Sequence, residues 1–427
     1  MSEDNCSERP RRAGPEHNIG EHPIGEHPIG EHPGLPYRVV LKKGREKSVL
    51  RRHPWLFSGA IEQLEGTEEA QPGDLGEIRS ASGEHLGIGV VNPGSQLAIR
   101  MLRFDTGAVD LPWVLSRLHQ AAALRARMVP KGTTAMRLVN AEGDGLPGLI
   151  VDRYADYLVV QCASLGMSRL QNLWLPALGE VFEPKGIVDR SQRARGDANL
   201  SRQDTLLTGE APPQLLEVQE CDRRFAVDIM GGQKTGHYLD QRENRRRVAA
   251  LARGGKVLDA FAYTGAFGVW AGTEGAEQVV AVETSAAALK LARESWRLNG
   301  LDEQRLRTVR AGVQEFLRHE QEQFDVIILD PPAFAKEKVH VQQATRGYKD
   351  INFWALKRLA PGGYLATFSC SQHIGTDLFQ KIIFGASIDA RVPLQWLSRL
   401  GAGGDHPVHL DHPQGEYLKG LLLRSLS

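Results

Sequence analysis

Two short stretches carry the residue types that could do chemistry. Phe324-Asp325-Val326-Ile327-Ile328-Leu329-Asp330-Pro331-Pro332-Ala333-Phe334 reads as a buried strand stopped by an acid and two prolines. A second apolar run, Gly363 to Phe368, ends in Ser369-Cys370-Ser371. In an open parallel sheet, ligands bind beyond the carboxyl ends of the strands. Two such strands in one sheet would bring Asp330 and Cys370 into one crevice. An acid and a thiol facing a flat substrate suit covalent chemistry on a base. A lone cysteine after an apolar strand is usually a packing residue. The flanking hydroxyls and the strand-end position favour the catalytic reading here.

A third stretch supplies a cofactor site. Val257-Leu258-Asp259-Ala260-Phe261-Ala262-Tyr263-Thr264-Gly265-Ala266-Phe267-Gly268 reads as strand, tight turn and helix start. It lacks the GxGxxG that lets a backbone approach a pyrophosphate. Aromatics stand where those glycines would be, so the expected cofactor is an adenosine without a pyrophosphate. Glu283 ends the next strand, where an acid can take both ribose hydroxyls. Asp259, Phe261, Tyr263, Thr264, Gly265 and Glu283, with Asp330, are the candidate cofactor contacts. Together they resemble the S-adenosyl-L-methionine site of Rossmann-like methyltransferases. The competing reading is a chance strand-turn-acid pattern in another α/β enzyme.

The prolines of Asp330-Pro331-Pro332-Ala333-Phe334 fix a turn and leave carbonyls free for a base edge. Phe334 can stack on a base. By itself this motif also suits methylation of an amino group or ring nitrogen. Cys370 moves the target to C5 of cytosine, a poor nucleophile until a thiolate adds to C6. Asp330 would then hold N3.

The rest of the chain must position these residues. Its 427 residues suggest about three domains at roughly 150 residues each. Formal net charge is zero, which excludes a globally basic nucleic-acid binder but not a locally basic face. The four cysteines form no CxxC pair, so no zinc ribbon or redox dithiol is indicated, and scattered single thiols suggest a reducing, cytoplasmic setting. No signal peptide and no membrane span are expected.

Residues 1–36 form a low-complexity tail with Ile-Gly-Glu-His-Pro repeated from Ile19, Ile24 and Ile29. Gly and Pro at this spacing oppose regular structure, so a disordered tail is expected. Its histidines His17, His22, His27 and His32 fix no coordination geometry, and no metal site is assigned. Residues 37–111 read as a small, mostly β barrel of short strands between Gly, Pro and Asn turns. Lys42, Lys43, Arg45, Lys47, Arg51 and Arg52 crowd one edge and suit phosphate contacts in RNA. The plainer alternative is a solvated helix face. Residues 112–215 read as an α+β connecting domain: a helix over Trp113 to Met128, a hairpin from Met136–Val139 to Gly148–Val151, a strand at Tyr157–Cys162 and a helix over Ser168 to Val181. Cys162 is expected to pack. Residues 216–427 alternate strands with helices, which predicts a doubly wound parallel sheet.

Further motifs resemble one family. Gly236-His237-Tyr238-Leu239-Asp240-Gln241-Arg242-Glu243-Asn244-Arg245, Arg346-Gly347-Tyr348-Lys349-Asp350-Ile351-Asn352, Asp377-Leu378-Phe379-Gln380-Lys381-Ile382-Ile383, Asp405-His406-Pro407 and Tyr417-Leu418-Lys419-Gly420 occur in this order. From about Tyr37 onward the chain resembles the PUA-domain bacterial large-subunit ribosomal RNA cytosine-C5 methyltransferases. The resemblance implies a PUA-like barrel, the connecting domain and a C-terminal Rossmann-like methyltransferase domain. It implies Cys370 as nucleophile, large-subunit ribosomal RNA as partner, and a homodimer. It makes Gln241 and Arg242 candidate cofactor contacts, and Arg346 and Lys349 candidate RNA contacts beside Phe334. Ala333 fits, since many other RNA cytosine-C5 methyltransferases carry a cysteine near that turn. Gly312 departs, standing where the family usually has an Asp for the adenine amino group, with Gln314 as a substitute. His373, three residues past Cys370, could tune the thiol or line the pocket. Two other functions stay open: an RNA base N-methyltransferase using Asp330, and a non-catalytic RNA-binding assembly protein.

Overall fold

The computed structural model describes residues 34–191, 204–232, 235–335 and 338–427; the repeat tail expected at 1–36 falls almost wholly outside them. The alternation of short β-branched runs with Gly and Pro turns yields six barrel strands: β1 (Tyr37–Leu41), β2 (Trp55–Phe57), β3 (Ile61–Gly66), β4 (Leu75–Arg79), β5 (His85–Val91) and β6 (Leu97–Arg103). Their order is β2-β6-β5-β4-β1-β3. The single turn of helix α1 (Lys47–Leu50) lies between β1 and β2. Val39, Leu41, Leu56, Ile78 and Ile99 fill the barrel. Strand β3 is an addition to the expected set. It is an edge strand whose six residues are all at least partly exposed, so it has no apolar run to announce it.

Helix α2 (Leu111–Met128) starts at Asp110, whose carboxylate accepts the Trp113 N–H at 2.9 Å, an N-cap that satisfies one orphan donor of the first turn. It packs beside a five-stranded sheet, in the order β11-β10-β9-β8-β7. The strands are β7 (Ala135–Asn140), β8 (Leu149–Tyr154), β9 (Tyr157–Cys162), β10 (Gly186–Asp189) and β11 (Thr205–Gly209). The helix expected over 168–181 is two, α3 (Leu165–Arg169) and α4 (Gln171–Phe182), breaking at Leu170. Cys162 is buried in this core, and burial, with the nearby Asp189 charge, pushes its thiol up to about 12. A hairpin of β12 (Leu216–Glu220) and β13 (Arg223–Val227) follows.

The last sheet has seven strands: β14 (Lys256–Ala260), β15 (Gln278–Glu283), β16 (Leu306–Arg310), β17 (Phe324–Leu329), β18 (Leu359–Ser369), β19 (Leu394–Leu400) and β20 (Lys419–Ser425). Their order is β16-β15-β14-β17-β18-β20-β19. The first five are parallel. At the far edge the expected all-parallel sheet fails, because β20 runs antiparallel to both β18 and β19. Gly420 on β20 admits the Phe368 ring; a Cβ there would meet that ring at 2.5 Å. Period-2 side-chain alternation feeds two cores. Val257, Val326, Ile328 and Phe368 face the layer of α5 (Arg242–Ala249), α6 (Ala266–Thr273) and α7 (Ala286–Leu298). Leu258, Ile327, Leu329 and Leu365 face α8 (Val313–His319), α9 (Val341–Arg358) and α10 (Thr376–Ala390).

A buried ion cluster fastens this sheet to α2 and β7. Asp405, fully buried in the β19–β20 loop, takes Arg242 at 2.8 Å and the Arg137 backbone N–H at 3.0 Å. Its carbonyl accepts Arg125, which also forks onto Asp144 at 2.5 and 2.7 Å.

Candidate active site

Strands β17 and β18 are hydrogen-bonded neighbours, with Leu329 opposite Thr367. Their carboxyl ends therefore deliver Asp330 and Cys370 to the same place. Both line a cavity of about 450 Å³, within the range of roughly 300–1,000 Å³ typical of small-molecule sites. Among the cysteines of the described residues, Cys370 alone lines it, and Ala333 stands on the opposite turn. The Cys370 thiol lies 3.9 Å from the Pro331 carbonyl. Ser369 and Ser371 point elsewhere. They are fully buried and bond the Tyr348 hydroxyl, each at 3.0 Å, and Ser371 Oγ also accepts the Ala335 N–H at 3.3 Å. The hydroxyls flanking the thiol thus tie β18 to α9 and to the Asp330 turn.

The turn after β14 forms the facing wall. Phe261, Tyr263 and Gly265 all have positive φ, at +62°, +48° and +70°. The chain coils tightly enough for Ala262 to donate to Val282 at 3.0 Å and Tyr263 N–H to Glu283 at 3.1 Å. Glu283 thereby joins the ends of β14 and β15, its second oxygen accepting the Thr284 and Ser285 N–H groups. Phe261, Ala262, Tyr263, Thr264 and Glu283 line the cavity. Gly265 does not; it begins α6, where a Cβ would strike Ala292 at 2.7 Å. Asp259 lies behind the wall, buried, and accepts the Gly268 N–H at 2.9 Å. Burial, reinforced by Asp330 and Glu283 and opposed by the Gly268 bond and Arg245, pushes its carboxyl up to about 7. Asp259 holds the first turn of α6 through this bond and is not among the residues that line the cavity.

The third wall comes from the segment before α5: His237, Tyr238, Asp240, Gln241 and Arg245. Of these, the sequence points to Gln241 alone as a cofactor contact. The signal for the others is the Gly236–Arg245 motif, which gives no face. Its charge, with three arginines at 245–247, looks solvated, yet Arg242 and Arg245 are each about 2% exposed or less. Acids distant in sequence make that tolerable. Arg245 meets the buried Glu220 at 2.5 Å, and Glu220 also takes His237 at 3.2 Å and the Trp270 indole at 3.2 Å. Burial opposes a charged Glu220, but Arg245 and His237 outweigh it and hold its carboxyl down at about 2. Arg242 faces Asp405 and not the cavity.

Other candidates sit apart from the cavity lining. Phe334 packs on Tyr348, ring centroids 4.7 Å apart. Lys349 pairs with Asp389 on α10 at 2.7 Å, while Arg346 is exposed on α9. His373 and Gln314 are exposed and absent from the cavity wall. Gly312 is the N-cap of α8, and a Cβ added there would have nothing within 4 Å. Gly312→Asp is therefore expected to fold and to gain a few tenths of a kcal/mol from the stronger cap. Calorimetry with S-adenosylmethionine would show whether it also tightens binding; unchanged affinity would mean that this position does not reach the adenine. On the barrel, Lys42, Lys43, Arg45, Lys47, Arg51 and Arg52 are all exposed, and none has a carboxylate partner among the described residues. Arg52 also lines a groove with Arg103, Arg117 and His409.

The cavity lies at the carboxyl ends of β14, β15 and β17. Residues 191–424 match the family model described as S-adenosylmethionine-dependent methyltransferase, and residues 39–104 match a PUA-like domain. The chain is 44% identical to the "Ribosomal RNA large subunit methyltransferase I" of Salmonella arizonae over 393 residues, covering 91% of this chain and 97% of that protein. It is 43% identical to the protein of the same name from Citrobacter koseri, covering 91% and 99%. The chain belongs to this methyltransferase family. Among solved structures, SMU.776 in complex with SAH superposes with a TM-score of 0.79 at 21% identity, over 91% of this chain and 99% of that one, which shows the shared fold.

The residues present fit the family's S-adenosylmethionine. Gln241 Nε2 is buried in the cavity wall with no hydrogen-bond partner among the described residues, an unmet donor that a bound polar group would satisfy. Glu283 stands at the strand end where ribose hydroxyls would sit. Thr264 and Ala266 bring the N-terminus of α6 to the wall, and amide N–H groups there favour a carboxylate. Among the described residues no cluster of metal-ligating side chains occurs and no helix is long and apolar enough to cross a membrane.

Proposed function

We propose that this methyltransferase forms 5-methylcytosine in large-subunit ribosomal RNA through a covalent adduct at Cys370. The observation that carries the reading is the pairing of β17 with β18, which sets Asp330 and the cavity's one described thiol on a common wall. S-adenosylmethionine, when bound, supplies an electrophilic methyl group. The Cys370 thiolate adds to C6 of the cytosine, and the electron pair released at C5 takes that methyl group. Asp330, carrying its carboxyl proton, donates to N3 and so stabilises the negative charge that builds on the ring as the thiolate adds. Loss of the C5 proton to a base expels the thiolate and restores the aromatic ring. Pro331, Pro332 and the aromatic wall of Phe261 and Tyr263 restrict water around the reacting atoms.

The test is nucleoside mass spectrometry of ribosomal RNA from cells with and without the protein. One 5-methylcytosine lost from the large-subunit RNA is expected. Loss of an N-methylated base instead would assign the Asp330 turn to nitrogen methylation, and no change would favour a non-catalytic role. The same reading places the protein in the cytosol as a homodimer, checked by light scattering.

The barrel cations are proposed to hold the RNA backbone. Affinity should fall steeply with salt, and removing each true phosphate contact among Lys42, Lys43, Arg45, Arg51 and Arg52 should flatten the log K against log salt slope by about 0.7–0.9. A slope unmoved by the combined alanine variants would remove the cluster from the interface.

A further inference from the structure

Lys419 is a buried charge that the reaction above leaves without a task. It is 6% exposed on β20, opposite Ser369 of β18. Its ammonium donates to the Ser371 carbonyl at 2.8 Å. No carboxylate lies within ion-pair distance of it among the described residues. An ammonium taken out of water without a counter-charge costs several kcal/mol in effective terms. Lysine is rarely buried unless paired. The residue between its two anchor points, Ser369 across the ladder and Ser371 at its tip, is Cys370. A thiolate there would be the missing anion.

We propose that Lys419 is the counter-cation of Cys370, favouring its thiolate and, through the Ser371 carbonyl, fixing the turn that aims the sulfur into the cavity. The proposal rests on the reading of Cys370 as nucleophile. It makes Lys419 a positioning residue rather than a group that touches the base. The other ionisable groups around the thiol come from four elements: Asp330 at the end of β17, Tyr238 before α5, Tyr348 on α9 and Glu416 in the β19–β20 loop. Asp330 and Glu416 oppose a thiolate when charged, and the tyrosines are neutral at working pH. Among the described residues whose charge interaction with the thiol is established, Tyr238, Tyr348 and Lys419, the lysine is the cation. Burial outweighs the rest and leaves its pKa below the usual lysine value, while Cys370 is the larger of the two neighbours that favour the ammonium, ahead of Glu416. A neighbouring lysine is one of the recognised ways to make a cysteine nucleophilic near neutral pH.

The experiment reads the thiol directly. Iodoacetamide alkylation of Cys370 is followed by peptide mapping across pH in the full chain, so that Cys6, Cys162 and Cys221 are scored separately. The profile midpoint should move up by about one pH unit or more in Lys419→Gln and return in Lys419→Arg. An unchanged midpoint in folded Lys419→Gln overturns the proposal, as does an equal shift in folded Lys419→Arg, which would indicate packing rather than charge. Should Lys419→Gln fail to fold, 13C-lysine NMR of the native chain and of Cys370→Ser carries the test. Loss of the thiolate should lower the Lys419 titration midpoint, and an unmoved midpoint overturns the pairing. These readouts do not depend on methyl transfer. Full methylation by Cys370→Ala would instead sink the nucleophile assignment, whatever the thiol's acidity.

Discussion

Cys370→Ala is expected to lose methyl transfer by at least about 10³-fold, the scale seen when a covalent nucleophile is deleted, while S-adenosylmethionine still binds. The two effects separate because the thiol sits at the end of β18, whereas the candidate cofactor contacts Phe261, Tyr263, Thr264 and Glu283 line the β14 and β15 side. Without the thiol, C5 of cytosine has no activated form to offer. Rate by methyl incorporation and affinity by calorimetry are the paired measurements. A substrate RNA carrying 5-fluorocytosine at the target sharpens the result. Fluorine cannot leave as a proton does, so the native protein should remain cross-linked to the RNA and Cys370→Ala should not. Near-native turnover in the variant would exclude the covalent route and leave the Asp330 turn to act on a nitrogen.

Glu220→Gln is expected to cost about 3–5 kcal/mol of stability at neutral pH, the range for removing one partner of a buried ion pair. The side chain is fully buried and is met by Arg245, His237 and the Trp270 indole. A glutamine keeps the shape but removes the charge that Arg245 faces, and its NH₂ takes the place of one oxygen, either the one shared by Arg245 and His237 or the one that accepts from Trp270. The sign with pH follows from the depressed carboxyl. Its ordinary value is 4.5 and the folded value about 2, so its stabilisation is present above about 4.5 and is lost as pH falls toward 2. Urea unfolding of the native chain should therefore weaken across that window, and Glu220→Gln should show a flatter acid limb. A variant as stable as the parent at pH 7 would mean that Arg245 finds another partner. Arg245 is itself a cavity residue and donates to the Tyr238 carbonyl, so loss of Glu220 should also weaken cofactor binding.

The contrast between these two sites shows what the sequence could disclose. Asp330 and Cys370 were legible because each ends an apolar run, and strand ends in a parallel sheet face the crevice. The parallel core of the sheet followed from the same runs. The antiparallel edge did not, since strand direction depends on the connection before β20 and leaves no mark in periodicity. Glu220 and Asp405 were illegible for a related reason. Their partners, Arg245 and Arg242, lie far off in sequence, and a run of arginines looks the same whether solvated or buried. Asp259 was legible as a strand-end acid but its burial behind the cavity wall was not, because an acid at a strand end can face the crevice or the helix that follows. On the barrel, β3 has no buried face to reveal it, and the exposed cations show a surface without showing its ligand.

The turn after β14 has a consequence for engineering. Phe261 and Tyr263 hold a left-handed backbone that non-glycine residues adopt at a cost of about 1–3 kcal/mol each. Glycine would relieve that cost and remove the two aromatic walls of the cavity. Screens for heat-tolerant variants should therefore enrich substitutions here that make the protein hardier and less active. Directed evolution toward thermostability would do better to leave this loop fixed and look elsewhere.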